Sequence, residues 1–189
     1  MESLEAILVD FDGTLVHTEN ANAKAYSASL QNYGFDVSKE LLLNYCDGRH
    51  WSKFLPEILK DEYTQDIGLK IANNKKNIYP KFYDEIEINK SLLTLLNYFT
   101  GLPRALVTNA SKESVLPILE QFGISSFFKI IICYEDVINP KPSPEGYLYA
   151  ISLLGVNKLN CLAIEDSNIG VLAARNAGIP TLRIAPFVD

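Results

Sequence analysis

Residues 7–19 read ILVDFDGTLVHTE, and this stretch decides the fold. An apolar run that begins at Ala6 leads straight into two acids, Asp10 and Asp12, which flank Phe11 and precede Gly13. A short continuous apolar run bounded by turn residues is the pattern of a strand covered on both faces, as in parallel sheets. Burying one charge there is costly, and a second acid two residues away adds like-charge repulsion. In open α/β sheets the ligand crevice lies outside the carboxyl ends of the strands. The acids therefore mark a candidate site.

Working outward, three further β-rich runs recur, RALVT (104–108), FKIIIC (128–133) and CLAIED (161–166), with TLRIA (181–185) as a fifth. Helical patterns with clear punctuation separate the later ones. SKESVLPILEQFG starts at Ser111 and stops at Gly123. SPEGYLYAISLLG is expected to open with Ser143 as N-cap and Pro144 at the first helical position, ending at Gly155. NIGVLAARNAGIP closes at Gly178 and Pro180. This alternation predicts an α/β fold with a Rossmann-like, doubly wound parallel sheet.

The segment between the first two runs differs. From about Glu19 to Tyr83 the pattern is helical and rich in aromatics, with no convincing strand. Ala23, Tyr26, Leu30 and Tyr33 keep helical spacing up to Gly34; SKELLLNY and WSKFLPEIL give two short helices. QDIGLKIANNKKNIYPKFY gives a longer one, expected to bend at Pro80. The segment is too long for a crossover, so the expected division is a core of residues 1–16 and 86–189 and an inserted helical cap of residues 17–85. Leaving from a strand's carboxyl end, such an insert would sit over the crevice as a lid.

Composition narrows the partners. The chain has 189 residues, 48% hydrophobic and 21% charged, as expected of a globular protein. Its formal net charge of −6 argues against a nucleic-acid or anionic-membrane partner. No signal peptide or membrane span is evident. Cys46, Cys133 and Cys161 are odd in number and form no C-x-x-C pair, which points to buried thiols and a reducing cytoplasm. A monomer is the default expectation.

The polar groups at the run ends carry the chemistry. Asp10 and Asp12 end the first, Thr108 and Asn109 the second, and Glu165 and Asp166 the fourth; Lys141 lies in INPKPSPEG after the third. Carboxylates at i and i+2 of an extended segment project to one side, roughly 6–7 Å apart. With Asp166 they suit a hard divalent cation, and Mg²⁺ is the natural occupant because it prefers oxygen ligands and retains waters and phosphate. A carboxylate can also attack phosphorus, dividing a difficult hydrolysis into two easier steps. The second acid can shuttle the proton, while Lys141 and the Thr108 hydroxyl suit phosphoryl oxygens.

Together D-x-D-G-T, T-N, K-P-x-P-E and E-D-S-x-x-G resemble the haloacid dehalogenase superfamily of phosphohydrolases, in order and over nearly the whole chain. The resemblance implies a helical cap, Asp10 as nucleophile, Asp12 as general acid/base, and Thr108 and Lys141 on phosphate, with Asn109 holding phosphate or the cap. It also implies Mg²⁺ on Asp10, the Asp12 backbone carbonyl and Asp166, with Glu165 as a further ligand. The function expected is hydrolysis of a small phosphorylated metabolite through an aspartyl phosphate.

Three rivals stand beside this reading. A mutase resembling β-phosphoglucomutase would have a histidine in the first cap helix, where this chain has Asn22. It would also have an arginine where this chain has Trp51. A phospho-acceptor signalling module would use similar groups without the insert, and a binding module on a decayed phosphatase fold is opposed by the intact Asp10, Asp12, Lys141 and Asp166. His17, at the doorway to the insert, reads as a hinge or surface residue. Tyr26, Phe54 and Trp51 read as lid core, and the turn with Arg49 and His50 as the candidate for specificity.

Overall fold

The computed structural model describes residues 3–46 and 51–185 and places a strand in every apolar run named above. β1 (Ala6–Val9) is buried along its whole length, as its unbroken apolar sequence requires. After it the chain turns back through a two-residue strand, β2 (Val16–His17), which pairs with β3 (Glu87–Ile88) in a small separate sheet. These pieces are too short to show any periodicity, so nothing in the residue pattern announces them.

The chain divides into two units, Met1–His17 with Ile88–Asp189, and Thr18–Glu87. The second unit is helical: α1 (Glu19–Asn32), α2 (Lys39–Cys46), α3 (Trp51–Leu59) and α4 (Gln65–Ile78). Its core gathers Ala23, Leu30, Leu42, Phe54, Leu55 and Ile71, with Tyr26 and Trp51 packed against them. Tyr26 meets Phe54 edge-on, with ring centroids 5.0 Å apart. The expected bend at Pro80 is instead a change of helix type. α4 ends at Ile78 and Tyr79–Glu85 continues as a 3-10 helix. Proline has no N–H with which to close the next α-helical bond, so the α pattern stops there.

The first unit continues through α5 (Lys90–Tyr98), β4 (Arg104–Val107), α6 (Lys112–Gln121), β5 (Ile130–Ile132), α7 (Glu145–Leu154), β6 (Cys161–Glu165), α8 (Asn168–Asn176) and β7 (Thr181–Arg183). The five strands run parallel in the order β5-β4-β1-β6-β7. From β1 the chain builds outward through β4 and β5, then crosses to β6 and β7 on the other side. β1 is thus the centre and the topological switch point, where such sheets open their crevice. On one face Leu8, Ala105 and Ala163 pack with Tyr147 and Ala150 of α7 and Ala173 and Ala174 of α8. Ile7 and Val9 alternate to the other face and are buried too.

Caps follow the sequence with one shift. The Ser111 hydroxyl accepts the Ser114 N–H at 3.3 Å to open α6. α7, however, begins at Glu145, with Pro144 rather than Ser143 at the cap. The Pro144 carbonyl accepts the first helical bond, from Leu148 N, whereas Ser143 Oγ accepts from Glu145 N at 3.3 Å. The Glu145 carboxylate in turn accepts the Ile138 and Asn139 N–H groups, which hold it below the usual carboxylate range and brace the loop that leads to Lys141.

Candidate active site

Asp10 follows the central strand directly, and its neighbours come from the strands on either side. Thr108 follows β4 and Glu165 ends β6, so the sheet order alone brings three of the expected residues together. Lys141 arrives from the loop after β5. Its ammonium donates to Asp10 Oδ1 at 2.5 Å, Glu165 Oε1 at 2.6 Å and the Val107 carbonyl at 2.7 Å. Those three acceptors match the three N–H bonds of an ammonium. Asp10, Lys141 and Glu165 are all buried, at 6%, 9% and 0% exposure, so this ion triad is shielded from water.

Burial dominates the acid–base balance here. It raises the Asp10 carboxyl above its usual range, against the opposing charge and hydrogen bond of Lys141. It likewise pushes Glu165 up to about 7, helped by the Asp10 charge and opposed by Lys141 and Tyr147. For Lys141 burial pulls the other way, and the two facing carboxylates more than reverse it, so the ammonium holds its proton more tightly than usual.

Asp166 completes the acidic set. One carboxylate oxygen each from Asp10, Glu165 and Asp166 lie within 4.8 Å of one another. Glu165 Oε2 is buried without a hydrogen-bond partner. An all-oxygen donor set containing an orphaned carboxylate oxygen fits a hard divalent cation. Ser167, not either acid, caps α8, by accepting the Gly170 N–H at 3.1 Å. Both carboxylates thereby stay available to the site.

Asp12 stands apart from Asp10. Its side chain is exposed, and its backbone forms an isolated bridge with Val16 across the turn. Two residues of spacing thus separate a buried acid from an accessible one. Thr108 is buried, and its hydroxyl accepts the Ala110 N–H at 3.0 Å, leaving its own proton to donate. Asn109 has an occupation the sequence did not suggest. Its amide clamps the Lys141 backbone, receiving Lys141 N–H at 2.8 Å and donating to Lys141 O at 3.0 Å. Arg49 and His50 lie outside the described residues.

Three supporting residues escaped the sequence reading. Thr14, buried in the D-G-T turn, donates to Asp166 Oδ1 at 3.0 Å. Asn89 donates to the Thr14 carbonyl at 3.0 Å and caps α5 through Leu92 N, fastening that turn. Arg183 of β7 donates to the Asp166 carbonyl at 3.1 Å and to Asn168 Oδ1 at 2.8 Å. A threonine after D-x-D-G was the one available signal.

Gly13 is fixed by two demands. Its φ is +78°, and a Cβ there would lie 2.3 Å from Asp166 Oδ2. Gly13→Ala should cost about 1–2 kcal/mol from the left-handed backbone alone and should also displace Asp166. An unfolding free energy from urea titration lowered by at least that amount, with weaker divalent-cation binding by calorimetry, is the expected result. Unchanged cation binding would separate Gly13 from the acidic set.

Known proteins place the chain among relatives. A family model described as haloacid dehalogenase-like hydrolase matches residues 7–184. A phosphoglycolate phosphatase from Neisseria gonorrhoeae is 24% identical over 189 residues, covering 94% of this chain and 78% of the relative. The pyrophosphatase PpaX of Oceanobacillus iheyensis is 27% identical, covering 97% and 84%. A crystal structure of a HAD-superfamily hydrolase, subfamily IA, from Geobacter sulfurreducens superposes with a TM-score of 0.83 at 22% identity, over 98% of this chain and 89% of that one. With the family match running almost end to end, the chain belongs to the haloacid dehalogenase-like hydrolases and is an enzyme of their phosphatase kind.

Proposed function

We propose that the chain is a Mg²⁺-dependent phosphatase of small phosphomonoesters that works through a phosphoryl group carried on Asp10. The observation that carries this reading is the placement of Asp10. It is a buried carboxylate at the end of the central strand, paired with an ammonium and next to two more acids. In the first step an Asp10 carboxylate oxygen attacks phosphorus and the ester oxygen leaves, taking its proton from Asp12. In the second, Asp12 removes a proton from water as the water oxygen attacks phosphorus. Phosphate departs and Asp10 is restored. The accessibility of Asp12 suits a group that must meet both the leaving alcohol and water.

Lys141 and Thr108 are assigned to the phosphoryl group: Lys141, whose three N–H bonds are taken by Asp10, Glu165 and the Val107 carbonyl, through its charge, and Thr108 through its free proton. Both offset charge that would repel a carboxylate nucleophile. Asn109, through its clamp on the Lys141 backbone, sets the ammonium's height. Asp10, Glu165 and Asp166, with the Asp12 carbonyl, are assigned to Mg²⁺, which when bound supplies further positive charge to the phosphoryl group. Substrate choice is assigned to the inserted helical unit. Its Asn22, which accepts from Lys75 Nζ at 2.7 Å, stands where the mutase resemblance calls for histidine.

The test is release of inorganic phosphate from a panel of sugar phosphates, phosphoglycolate and pyrophosphate, with Mg²⁺ and with EDTA. Release from at least one monoester is expected, with loss of activity in EDTA and recovery on adding Mg²⁺. Release undiminished by EDTA would remove the metal from the mechanism. Conversion of β-glucose 1-phosphate to the 6-phosphate without phosphate release would replace the phosphatase by a mutase.

A further inference from the structure

The geometry points to Tyr147 as a positioning residue that aligns Lys141 with Asp10 by holding Glu165. Tyr147 lies in α7, fully buried among Leu8, Ala163 and Ala173 of the sheet-facing core. Its hydroxyl donates to Glu165 Oε1 at 2.5 Å, the oxygen that also receives Lys141 Nζ at 2.6 Å. Lys141 Nζ also lies 5.2 Å from the centre of the Tyr147 ring.

Packing accounts for the ring but not for its hydroxyl. Phenylalanine would bury the same apolar surface without a polar group that needs a partner. The alignment of the triad gives the hydroxyl a purpose. Glu165 and Lys141 are both long, flexible side chains, and if they held only each other they could shift together. Tyr147 has two torsions, both fixed by the surrounding core. It is the rigid member of a line running from Tyr147 Oη through Glu165 Oε1 and Lys141 Nζ to Asp10 Oδ1.

One flat face of the Glu165 carboxylate is covered as well, by the backbone at Gly170. A Cβ at position 170 would lie 2.0 Å from Glu165 Oε2, so Gly170 of α8 lets the carboxylate rest against bare backbone. α7 and α8 thus hold Glu165 between them, one with a donor and the other with an absent side chain. Loss of the Tyr147 donor frees the carboxylate to rotate and carries the ammonium off its line to Asp10. Such slack affects a step that needs alignment more than it affects substrate capture.

This inference rests on the reading of Asp10 as nucleophile, so Asp10→Asn is measured beside it. Tyr147→Phe is assayed with p-nitrophenyl phosphate and Mg²⁺. Its kcat is expected to fall about tenfold, equivalent to about 1.4 kcal/mol, with KM within about twofold of wild type. Thermal unfolding in EDTA supplies a readout independent of turnover. Tyr147→Phe should lower the wild-type midpoint by a few degrees and leave that of Glu165→Ala unmoved, because the two residues act as one unit. A kcat like wild type, a rise in KM at constant kcat, or an equal midpoint loss in both backgrounds overturns the proposal. Failure of Tyr147→Phe to fold would assign the hydroxyl to the fold and overturn it too. Full activity in Asp10→Asn would instead overturn the nucleophile reading, so the two failures are distinguishable.

Discussion

Asp10→Asn should abolish turnover while leaving the protein as stable as before. The amide keeps the shape of the carboxylate but is a poor nucleophile. Losing the covalent step should reduce kcat by at least about 1,000-fold, some 4 kcal/mol of barrier. Stability should move differently. Burial raises the Asp10 carboxyl above its usual range, so the ionised form costs the fold energy near neutral pH. A neutral amide removes that cost and the repulsion from Glu165 and Asp166, against a weaker bond to Lys141. An unfolding midpoint equal to or above wild type is therefore expected. Rapid acid quench of wild type with labelled substrate should leave the label on the peptide containing Asp10, and the variant should carry none. Activity within tenfold of wild type would end the nucleophile assignment.

The ends of strands were the legible part of this chain. Each buried strand is an unbroken apolar run, and the first polar residues after it stand out against that background. Asp10, Thr108 and Glu165 could therefore be placed before their mutual geometry was known. Alternating strands and helices predict a parallel sheet whose carboxyl ends share one edge, so a common edge for these residues was legible; the order β5-β4-β1-β6-β7 that makes Thr108 and Glu165 the neighbours of Asp10 was not. What spacing could not convey was the difference between Asp10 and Asp12. An i, i+2 pattern predicts a shared side for a continuing strand. Here β1 ends at Val9 and the turn exposes the second acid.

The supporting partners were hidden for a different reason. Thr14 meets Asp166 across 152 positions of chain, and Tyr147 meets Glu165 from α7, a helix that packs on β5, β4 and β1 and reaches the end of β6 only through this long side chain. In sequence, Tyr147 sits in GYLYAISLL and reads as another core aromatic. Asn109 reads as a polar group at a strand end, free to serve a ligand, until its amide is found on both backbone groups of Lys141. α5 is weakly announced, because KSLLTLLNY has neither a strong start in its own residues nor a glycine directly after it. Its cap, Asn89, lies just before it and also serves the D-G-T turn.

Lys141→Met should be the most destabilising single change at the site, and its cost should grow with pH. Methionine fills the space of the lysine stem but leaves Asp10 and Glu165 facing each other without a counter-ion. Breaking a buried ion pair from one side costs about 3–5 kcal/mol, because the surviving charge stays buried. The sign with pH follows from the direction of the carboxyl shifts. Both acids titrate higher in the folded protein than in the unfolded chain, and Glu165 reaches about 7 even with Lys141 present. The folded state then binds more protons than the unfolded one, so stability falls as pH rises from the unfolded value, about 4.3 for glutamate. Without Lys141 the shifts widen. The midpoint deficit of Lys141→Met relative to wild type, measured in EDTA, should be small near pH 5 and large at pH 8. Adding Glu165→Gln should recover part of the loss at pH 8 by removing one of the two facing charges. An equal deficit at both pH values would mean that Lys141 stabilises the site by its stem and hydrogen bonds rather than by its charge.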